Sequence, residues 1–388
     1  MRTLNKITVV GASLAGLRAV QALRREGFDR DITLVGAETH TPYNRPPLSK
    51  SVLSGDDDVT LPGADELGDQ WLRGRRAVRL DARHRAVILD DGTELGYDGL
   101  VIASGARPRR LGDARTLRTI EDALALRAKL ASGCEHVLII GGGFIGGEVA
   151  STARQLGRKV TLIDSGPYPM HAGVGEEAAR WLAAHHERNG VELVTNVRVT
   201  TVEGTQVRLS DGRSLSADLV IGGLGVRPNT EWLDGSGLAV DDGVLCEPTL
   251  FARDSADIVA AGDVVRWPHG LFDGELVRVE HWSNANEQGA VAAHNLLAGP
   301  GDAQPFLEVP NFATHVHGAR VQTAGLPHLA DQASIVTGSL QEDRFAVAFT
   351  RTGVMVGAVA VNAPKDLIKL KRAIAARETV RPQETTIR

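Results

Sequence analysis

Residues 136–164 read HVLIIGGGFIGGEVASTARQLGRKVTLID: an apolar run, a glycine-rich turn, a segment of helix length and a second apolar run. Gly141, Gly143 and Gly146 form the spacing G-x-G-x-x-G. In this spacing the first glycine permits a tight turn, the second lets a pyrophosphate approach, and the third lets helix and strand pack. The start of the helix offers N–H groups and a positive dipole end to phosphates. The stretch therefore predicts a dinucleotide-binding strand–turn–helix–strand unit.

Asp164 stands at the end of the second strand of this unit. A carboxylate there can accept a hydrogen bond from an adenosine ribose, and it would repel a 2′-phosphate. The segment that follows, SGPYPMHAG at 165–173, contains no Lys or Arg to bind that phosphate. The unit therefore predicts a preference for NADH over NADPH. Strand, turn, helix and acid in this order favour a nucleotide site over a purely structural glycine turn.

A second form of the pattern opens the chain. A strand is predicted over 7–10, the turn GASLAG follows, then a helix to about residue 25 and a strand within 31–38. Gly11 and Gly16 are kept, but Ser13 occupies the middle position, which is tolerable only if the backbone still clears the phosphate. At the end of the second strand Ala37 stands beside Glu38, and we expect Glu38 to contact the ribose. Two such units predict two dinucleotides, a mobile nicotinamide and a resident flavin.

The two halves of the chain also share a longer repeat. VRLSDGRSLSADLVIGGLG at 207–225 is similar to VILDDGTELGYDGLVIASG at 87–105, which indicates duplication of a whole nucleotide-binding domain. We predict twisted antiparallel strands over 77–105, with a turn at Asp91-Gly92, and a helix over 121–131. Strand-like runs at 334–340, 344–350 and 354–361 precede a basic helix at 364–377. These runs predict a third, α+β domain.

The predicted fold class is α/β, with two Rossmann-like dinucleotide-binding domains of the glutathione-reductase-like type and a C-terminal α+β domain. Predicted boundaries are 1–112 with 238–305 for an FAD-binding domain, 113–237 for an NADH-binding domain, and 306–388 for the C-terminal domain. In the first of these, AAGDVV at 260–265 is a strand end followed by an acid. Asp263, after Gly262, could accept a hydrogen bond from a ribityl hydroxyl.

Composition narrows the possible classes of function. The chain has 388 residues, 43% hydrophobic and 23% charged, and a net charge of −5, so we expect neither a nucleic acid nor a membrane partner. Cys134 and Cys246 supply no disulfide framework and no metal-ligand spacing, which suits a reducing cytoplasm. His315 and His317 are predicted to be packing or surface histidines, so no metal site is expected.

Several motifs together carry a resemblance to a known family. In chain order they are PYNRPPLSK (42–50), LVIASGARPR (100–109), TLRTIEDALALR (116–127), GGGFIGGE (141–148), GVRPN (225–229), AAGDVV (260–265) and VEHWSNANEQG (279–289). This set resembles the NADH-dependent ferredoxin reductases of oxygenase systems, the putidaredoxin reductase-like flavoproteins. The resemblance implies non-covalent FAD, NADH as donor and a small iron–sulfur ferredoxin as acceptor. The ferredoxin would supply a P450 or ring-hydroxylating oxygenase, and the chain would be a monomer or weak homodimer.

The resemblance also implies roles for matching residues. Lys50 is expected near the flavin N5 and paired with Glu148, both as catalytic residues, although alone such a pair would be interpreted as a surface ion pair. Trp282 is expected to offer its backbone to the flavin pyrimidine, near a helix that starts at about residue 284. The predicted FAD-binding residues are Gly11, Ser13, Leu14, Ala15, Gly16, Ala37, Glu38, Arg45, Lys50, Val78, Ala103, Ser104, Gly105, Arg127, Gly262, Asp263, Glu280, His281 and Trp282. The predicted NAD-binding residues are Gly141, Gly143, Phe144, Ile145, Gly146, Glu148, Asp164, Gly223 and Gly225.

The acceptor side departs from the family pattern. The family carries FWSDQ where this chain has NFATHVHG at 311–318, so Phe312 is kept, Ala313 replaces Trp and His315 replaces Asp. Thiol-using relatives carry a redox cysteine in the first domain, and this chain has none there. Electrons must therefore leave to an outside acceptor. The alternatives to a ferredoxin are oxygen or a quinone, as in an NADH oxidase or quinone-type reductase, or a non-catalytic NADH-sensing role. The basic helix is a candidate docking surface for an acidic partner, whereas the basic stretch 73–85 is interpreted as a charged hairpin.

Overall fold

The structure is a computed structural model that describes residues 4–55, 58–64 and 71–379. The predicted domain ends at residues 1 and 388 lie outside these ranges. The chain divides into two compact units, each built from separated stretches of sequence. The first unit comprises Met1–Asn44, Asp58–Arg107 and Arg227–Glu308, and the second comprises Arg45–Asp57, Pro108–Val226 and Val309–Arg388. The predicted three-domain division stays a prediction.

The strands are β1 (Lys6–Val10), β2 (Asp31–Gly36), β3 (Trp71–Arg73), β4 (Ala77–Asp81), β5 (Ala86–Leu89), β6 (Glu94–Gly96), β7 (Gly99–Ile102), β8 (Ala106–Pro108), β9 (His136–Ile140), β10 (Lys159–Ile163), β11 (Val191–Val194), β12 (Val199–Glu203), β13 (Gln206–Leu209), β14 (Ser214–Ser216), β15 (Leu219–Gly222), β16 (Val226–Pro228), β17 (Val244–Leu245), β18 (Ile258–Ala260), β19 (Val265–His269), β20 (Glu275–Val277), β21 (Asn311–Val316), β22 (Ala319–Gly325), β23 (Gln332–Ser339), β24 (Arg344–Arg351) and β25 (Val354–Val361). The helices are α1 (Leu14–Arg25), α2 (Ser51–Ser54), α3 (Ile120–Ala131), α4 (Phe144–Gln155), α5 (His171–Arg188), α6 (Trp282–Ala298) and α7 (Pro364–Ala375). None of the helices in the described part of the chain is long and apolar enough to cross a membrane.

The first unit is organised around a parallel sheet with the order β18-β7-β1-β2-β3. Its central strands are continuous apolar runs, which is typical of strands buried on both faces. Helices α1 and α6 pack against each other in this unit. Gly99 leaves room for a helix side chain, because a Cβ there would lie 3.0 Å from Leu296 Cδ2. The glycine therefore lets α6 approach the sheet closely.

The segment 77–105 is only partly antiparallel. Strands β4, β5 and β6 form an antiparallel sheet, and Gly92 closes the predicted turn with a φ of +85°. Strand β7 instead joins the parallel sheet, where it pairs with β1 and β18. The prediction of antiparallel strands was therefore wrong for 99–102, whose four residues are all buried as a central parallel strand requires.

The second unit repeats the plan of the first. Its parallel sheet has the order β11-β10-β9-β15, and β12, β13 and β14 form an antiparallel sheet. Ile140, at the end of β9, is paired with Ile163 on one side and Gly222 on the other, as Val10 is paired with Val35 and Ile102 in the first unit. The predicted pair of Rossmann-like sheets is therefore present.

The second unit also contains an antiparallel sheet of order β21-β22-β25-β24-β23, followed by α7. Trp181 of α5 packs edge-on against Phe345 of this sheet, within an apolar core cluster. The predicted C-terminal α+β class is confirmed. Strands β21 and β22 had not been predicted, because Thr314, His315 and Gln322 interrupt their apolar runs.

Candidate functional site

The first glycine turn has no room for side chains at two of its positions. Gly11 has a φ of +115°, and a Cβ there would lie 2.0 Å from the carbonyl oxygen of Ala103. A Cβ on Gly16 would lie 1.8 Å from the carbonyl oxygen of Gly11. Helix α1 then begins at Leu14 with no side-chain cap and no acid in its first turn. The start of α1 therefore suits an anionic pyrophosphate, which can take the place of a capping side chain.

An acidic side chain stands beyond the end of β2, as predicted. Glu38 is partly exposed, and its Oε2 accepts a hydrogen bond of 2.5 Å from the Tyr43 hydroxyl. Ala37 is exposed and has no polar side-chain atom. The Tyr43 hydroxyl holds the Glu38 carboxylate, and carboxylate oxygens are the acceptors that a ribose hydroxyl requires.

The segment carrying Asp263 lies against the start of α1. A Cβ on Gly262 would lie 3.1 Å from Ala15 Cβ, and the Gly262 N–H donates to Gln288 Oε1 at 2.9 Å. Asp263 itself is only 9% exposed, and its carbonyl oxygen accepts from Arg278 Nη1 at 3.4 Å. The motifs GASLAG and AAGDVV, far apart in sequence, are thus brought together within the first unit.

Other predicted flavin residues in this unit present exposed apolar surface. Val78 is 46% exposed, and Trp282 is 41% exposed at the first position of α6. The helix therefore begins at Trp282 itself, two residues earlier than predicted, with His281 at the N-cap and no side-chain cap. Glu280 pairs with Arg278 at 2.7 Å.

The tripeptide after β7 forms a fixed turn in the same unit. The Ser104 hydroxyl donates to the Asn229 carbonyl oxygen at 2.8 Å, and Asn229 Nδ2 donates to the Ser104 carbonyl oxygen at 2.8 Å. Gly105 has a φ of +65°, which favours glycine. These features together fit FAD. The uncapped start of α1 suits the pyrophosphate, and the carboxylates of Glu38 and Asp263 suit ribose and ribityl hydroxyls. The exposed apolar side chains suit the rings.

The second glycine turn reproduces the first in the second unit. Gly141 has a φ of +95°, and a Cβ there would lie 2.4 Å from the carbonyl oxygen of Gly223. A Cβ on Gly146 would lie 2.0 Å from the carbonyl oxygen of Gly141, whereas one on Gly143 would have no atom within 4 Å. Gly225, with a φ of +75°, accepts a backbone hydrogen bond from Arg109 at 2.9 Å. Gly143 therefore leaves open space where a phosphate could approach.

Asp164 is held against this turn. Its Oδ2 accepts the Gly142 N–H at 2.7 Å, and its Oδ1 accepts the Gly166 N–H at 2.7 Å. Each carboxylate oxygen keeps a further lone pair for a ribose hydroxyl. The motif alone did not indicate these two backbone contacts, which fix the carboxylate beside α4. Helix α4 begins at Phe144 with no side-chain cap, and Ile145 is 43% exposed in its first turn.

Lys50 and Glu148 meet in the second unit. Lys50 Nζ lies 2.6 Å from Glu148 Oε1, and the side-chain exposures are 30% and 3%. Lys50 Nζ also lies 3.1 Å from the carbonyl oxygen of Pro46. The hydroxyls of Ser49 and Thr314 both donate to the Glu148 carboxylate. A pair with one buried member differs from an exposed surface ion pair, and its catalytic role stays a prediction.

The two arginines predicted to contact FAD are engaged with backbone oxygens of the second unit. Arg45 Nη1 donates to the Arg118 carbonyl oxygen at 2.7 Å. Arg127 Nη1 donates to the Gly55 carbonyl oxygen at 2.7 Å. Both residues therefore brace the chain around 45–55, which carries Lys50.

Strand β21 presents two different faces. Phe312 packs against Phe144 with ring centroids 4.1 Å apart, and Thr314 is buried. Ala313 and His315 alternate with these residues and are exposed. His317, after the strand, places its Nε2 3.0 Å from His186 Nδ1. In the described ranges no group of three His, Cys, Asp or Glu side chains is placed to hold a metal ion.

The two cysteines are buried thiols with a raised pKa. Cys134 and Cys246 are both buried and free. Burial is the main cause that raises the pKa of each thiol above its ordinary value. Because the thiolate is the reactive form, both thiols are kept unreactive.

Comparisons with known proteins agree with this arrangement. Residues 5–289 match the pyridine nucleotide-disulphide oxidoreductase family, and residues 312–386 match the reductase C-terminal family. The chain is 36% identical over 395 residues to the ferredoxin–NAD(+) reductase component of the p-cumate 2,3-dioxygenase system of Pseudomonas putida, covering 98% of this chain and 96% of the relative. It is 37% identical to the ferredoxin–NAD(+) reductase component of the anthranilate 1,2-dioxygenase system of Burkholderia cepacia, covering 97% and 95%.

Two solved structures show the same fold. Putidaredoxin reductase in its covalent complex with putidaredoxin aligns with a TM-score of 0.90 and 32% identity, covering 97% of this chain and 94% of that one. The ferredoxin reductase for the CYP199A2 system from Rhodopseudomonas palustris also aligns with a TM-score of 0.90 and 32% identity, covering 97% and 96%.

Two glycine turns of this kind, each with its own acid, define an oxidoreductase that uses two dinucleotides. The chain belongs to the pyridine nucleotide-disulphide oxidoreductase family. The predicted resemblance, fold class and enzyme class, an FAD-dependent and NADH-using ferredoxin reductase, are confirmed by these comparisons. The roles of the individual site residues stay predictions.

Proposed function

We propose that this chain carries electrons from NADH, through non-covalently bound FAD, to a small iron–sulfur ferredoxin that supplies a P450 or a ring-hydroxylating oxygenase. The observation that carries the proposal is the pair of glycine turns, at 11–16 and 141–146, each leading into a helix without a side-chain cap. FAD, when bound, accepts two electrons from NADH and releases them singly, as a one-electron acceptor requires. The unreactive cysteines support an acceptor outside the chain. The enzyme acts as a monomer or weak homodimer in the cytoplasm, where these thiols stay reduced.

The first unit would hold the flavin dinucleotide. The start of α1 would bind its pyrophosphate, Glu38 would accept from the adenosine ribose, and Asp263 would accept from a ribityl hydroxyl. Trp282, at the start of α6, would offer its backbone to the flavin pyrimidine, as the resemblance implies. The positive end of the α6 dipole favours negative charge there.

The second unit would hold NADH through Asp164. Its carboxylate, fixed by Gly142 and Gly166, would accept from the adenosine ribose and repel a 2′-phosphate. Arg180 is a cation near the segment that follows Asp164, with its guanidinium carbon 5.9 Å from the Tyr168 ring centroid. Its charge is already paired with Glu176, so it is not a ready partner for a 2′-phosphate. We therefore expect a much larger kcat/KM for NADH than for NADPH.

The test for donor choice combines Asp164→Ser with Ser165→Arg. The double variant removes the repelling carboxylate and adds a cation, so the NADH to NADPH ratio of kcat/KM should fall by at least tenfold. Arg83→Ser, at an exposed position in the turn between β4 and β5, is the matched control and should leave the ratio unchanged. Equal use of both donors by the unmodified protein would contradict the proposal.

Lys50 and Glu148 would act at the hydride-transfer step. Lys50 would stabilise negative charge on the reduced flavin, and Glu148 would hold Lys50 and border the nicotinamide. If they act as one unit, Lys50→Met, Glu148→Gln and the double variant should slow flavin reduction by NADH in a clearly non-additive way. Additive and small losses would return the two residues to the status of a surface ion pair.

Helix α7 offers a docking surface for an acidic ferredoxin. Lys365, Lys369 and Arg372 are exposed at helical spacings of four and three, and exposed Ile368 lies among them. Ferredoxin reduction should weaken as salt rises, because exposed charges are screened beyond about 8–10 Å at ordinary ionic strength. Lys369→Glu should raise the KM for ferredoxin several-fold at low salt, whereas the control Arg83→Glu should not.

Exposed Ala313 favours a second activity with small acceptors. It replaces the family Trp in β21, so no indole covers that position. An uncovered flavin would react more readily with oxygen and quinones. We therefore expect measurable NADH oxidase activity in the absence of a protein partner.

A further inference from the structure

The Glu148 carboxylate is surrounded by hydrogen-bond donors from two separate segments of the second unit. Glu148 lies in α4 and its side chain is 3% exposed. The Ser49 hydroxyl donates to Oε2, and the Thr314 hydroxyl donates to Oε1, the same oxygen that Lys50 Nζ approaches to 2.6 Å. Thr152 of α4 donates to the Ser49 carbonyl oxygen at 2.9 Å and so ties the Ser49 segment to the helix.

The two hydroxyl side chains are less mobile than the Lys50 side chain. Thr314 is 1% exposed and Ser49 is 2% exposed, so both hydroxyls are held by packing. The Lys50 side chain is 30% exposed and has a second acceptor in the Pro46 carbonyl oxygen at 3.1 Å. The charged carboxylate attracts the ammonium more strongly than a neutral carbonyl oxygen does, so the flexible Lys50 side chain follows the position of Glu148 Oε1. The location of the Lys50 charge therefore depends on how firmly Glu148 is oriented.

We propose that Thr314, together with Ser49, is a positioning residue that orients the Glu148 carboxylate and through it the Lys50 ammonium. The proposal rests on the function proposed above for the Lys50–Glu148 pair. It gives β21 of the C-terminal sheet a part in hydride transfer, because the hydroxyl on this strand acts on a carboxylate 166 residues away in sequence. Threonine serves here through its hydroxyl, since valine would fill the same volume in a buried strand position.

The test replaces the hydroxyl without changing the volume. Thr314→Val should lower the limiting rate of flavin reduction by NADH in the FAD-loaded enzyme by about 10- to 100-fold, while the Kd for NADH changes less than about threefold. Thr314→Ser keeps the donor and should restore the rate to within about threefold of the original. Thr323→Val is the matched control, because Thr323 is buried at 3% on the neighbouring strand and pairs with Phe312 in the register; its rate should not change.

A second measurement separates positioning from folding. The flavin midpoint potential, measured without NADH, should fall in Thr314→Val, because a displaced Lys50 stabilises the reduced form less, and Thr314→Ser should restore it. In a Lys50→Met background, Thr314→Val should add less than about twofold to the loss of rate, since the residue through which it acts is gone.

Two results would overturn the inference in different ways. If Lys50→Met slows flavin reduction while Thr314→Val leaves both rate and potential unchanged, Thr314 is not a positioning residue and the proposed function stands. If Lys50→Met and Glu148→Gln also leave the rate unchanged, the role of the pair fails and the inference fails with it.

Discussion

Changing Gly143 or Gly146 to alanine should affect different properties of the protein: nucleotide affinity for Gly143 and folding stability for Gly146. Gly143 has φ −67° and ψ −173°, and a Cβ there would meet no atom within 4 Å. Gly143→Ala should therefore change the free energy of unfolding by no more than about 1 kcal/mol, the scale of a glycine-to-alanine change at an N-cap. A Cβ on Gly146 would lie 2.0 Å from the Gly141 carbonyl oxygen, so the backbone must move. Gly146→Ala should cost about 1–3 kcal/mol or more, as overpacking does.

Binding should show the opposite order. The Gly143 methyl would occupy the space for the pyrophosphate and remove at least one charge-assisted N–H contact, worth about 1.5–3 kcal/mol. The Kd for NAD+, which occupies the same turn, should rise roughly 10- to 150-fold in Gly143→Ala, with the midpoint of thermal unfolding moved by no more than about 2–4 °C. Titration of the oxidised enzyme with NAD+ and calorimetric unfolding measure the two quantities. Unchanged nucleotide affinity in a folded Gly143→Ala protein would refute the assignment of this turn to NADH.

Three further predictions concern the flavin, acid stability and the acceptor. Asp263→Ala should weaken FAD retention by about 1.5–3 kcal/mol, measured by fluorescence of released flavin, and unchanged affinity would contradict the assignment. Burial lowers the pKa of His186 to about 3 and of His317 to about 4, below the ordinary 6.5, so the stability that depends on their neutral forms is complete above pH 6.5 and is lost as pH falls toward those values. The free energy of unfolding should fall by about 2 kcal/mol per buried histidine between pH 7 and pH 5. Urea unfolding at the two pH values should show a smaller fall in His186→Leu than in the unmodified protein. Exposed His315→Gln is the control and should show the same fall as the unmodified protein. Ala313→Trp should slow reoxidation of the reduced flavin by oxygen. If the stopped-flow reoxidation rates with oxygen and with ferredoxin are both the same in the variant and in the unmodified protein, position 313 does not border the flavin.

Much of the fold could be predicted because parallel strands buried on both faces are continuous apolar runs next to glycine turns. Residues 7–10 and 136–140 carry this signal, and the structure places a strand at each. Residues 99–102 carry the same apolar signal, but their proximity to a hairpin led to an antiparallel prediction. Tertiary pairing with β1, which local pattern does not encode, decides their direction.

The site could be predicted only where a motif has a fixed spacing. The glycine turns and Asp164 follow from spacing, because a phosphate-binding turn imposes positions along one short segment. The contact between Thr314 and Glu148 spans 166 residues, and a lone threonine in a strand has no periodic signal. Lys50 could be paired with Glu148 only through the resemblance, and the buried carboxylate that separates this pair from a surface ion pair is visible only in the structure.

The most direct test of the central claim is the NADH-driven reduction of a panel of iron–sulfur ferredoxins, a quinone and oxygen by the FAD-loaded enzyme. The account predicts that a ferredoxin is reduced faster than either small acceptor, that NADPH supports little of this activity, and that salt slows it. Rapid turnover with quinone or oxygen alone would contradict the assignment of the acceptor. A long-lived NADH-reduced protein that turns over with no acceptor would contradict the electron-transfer function itself.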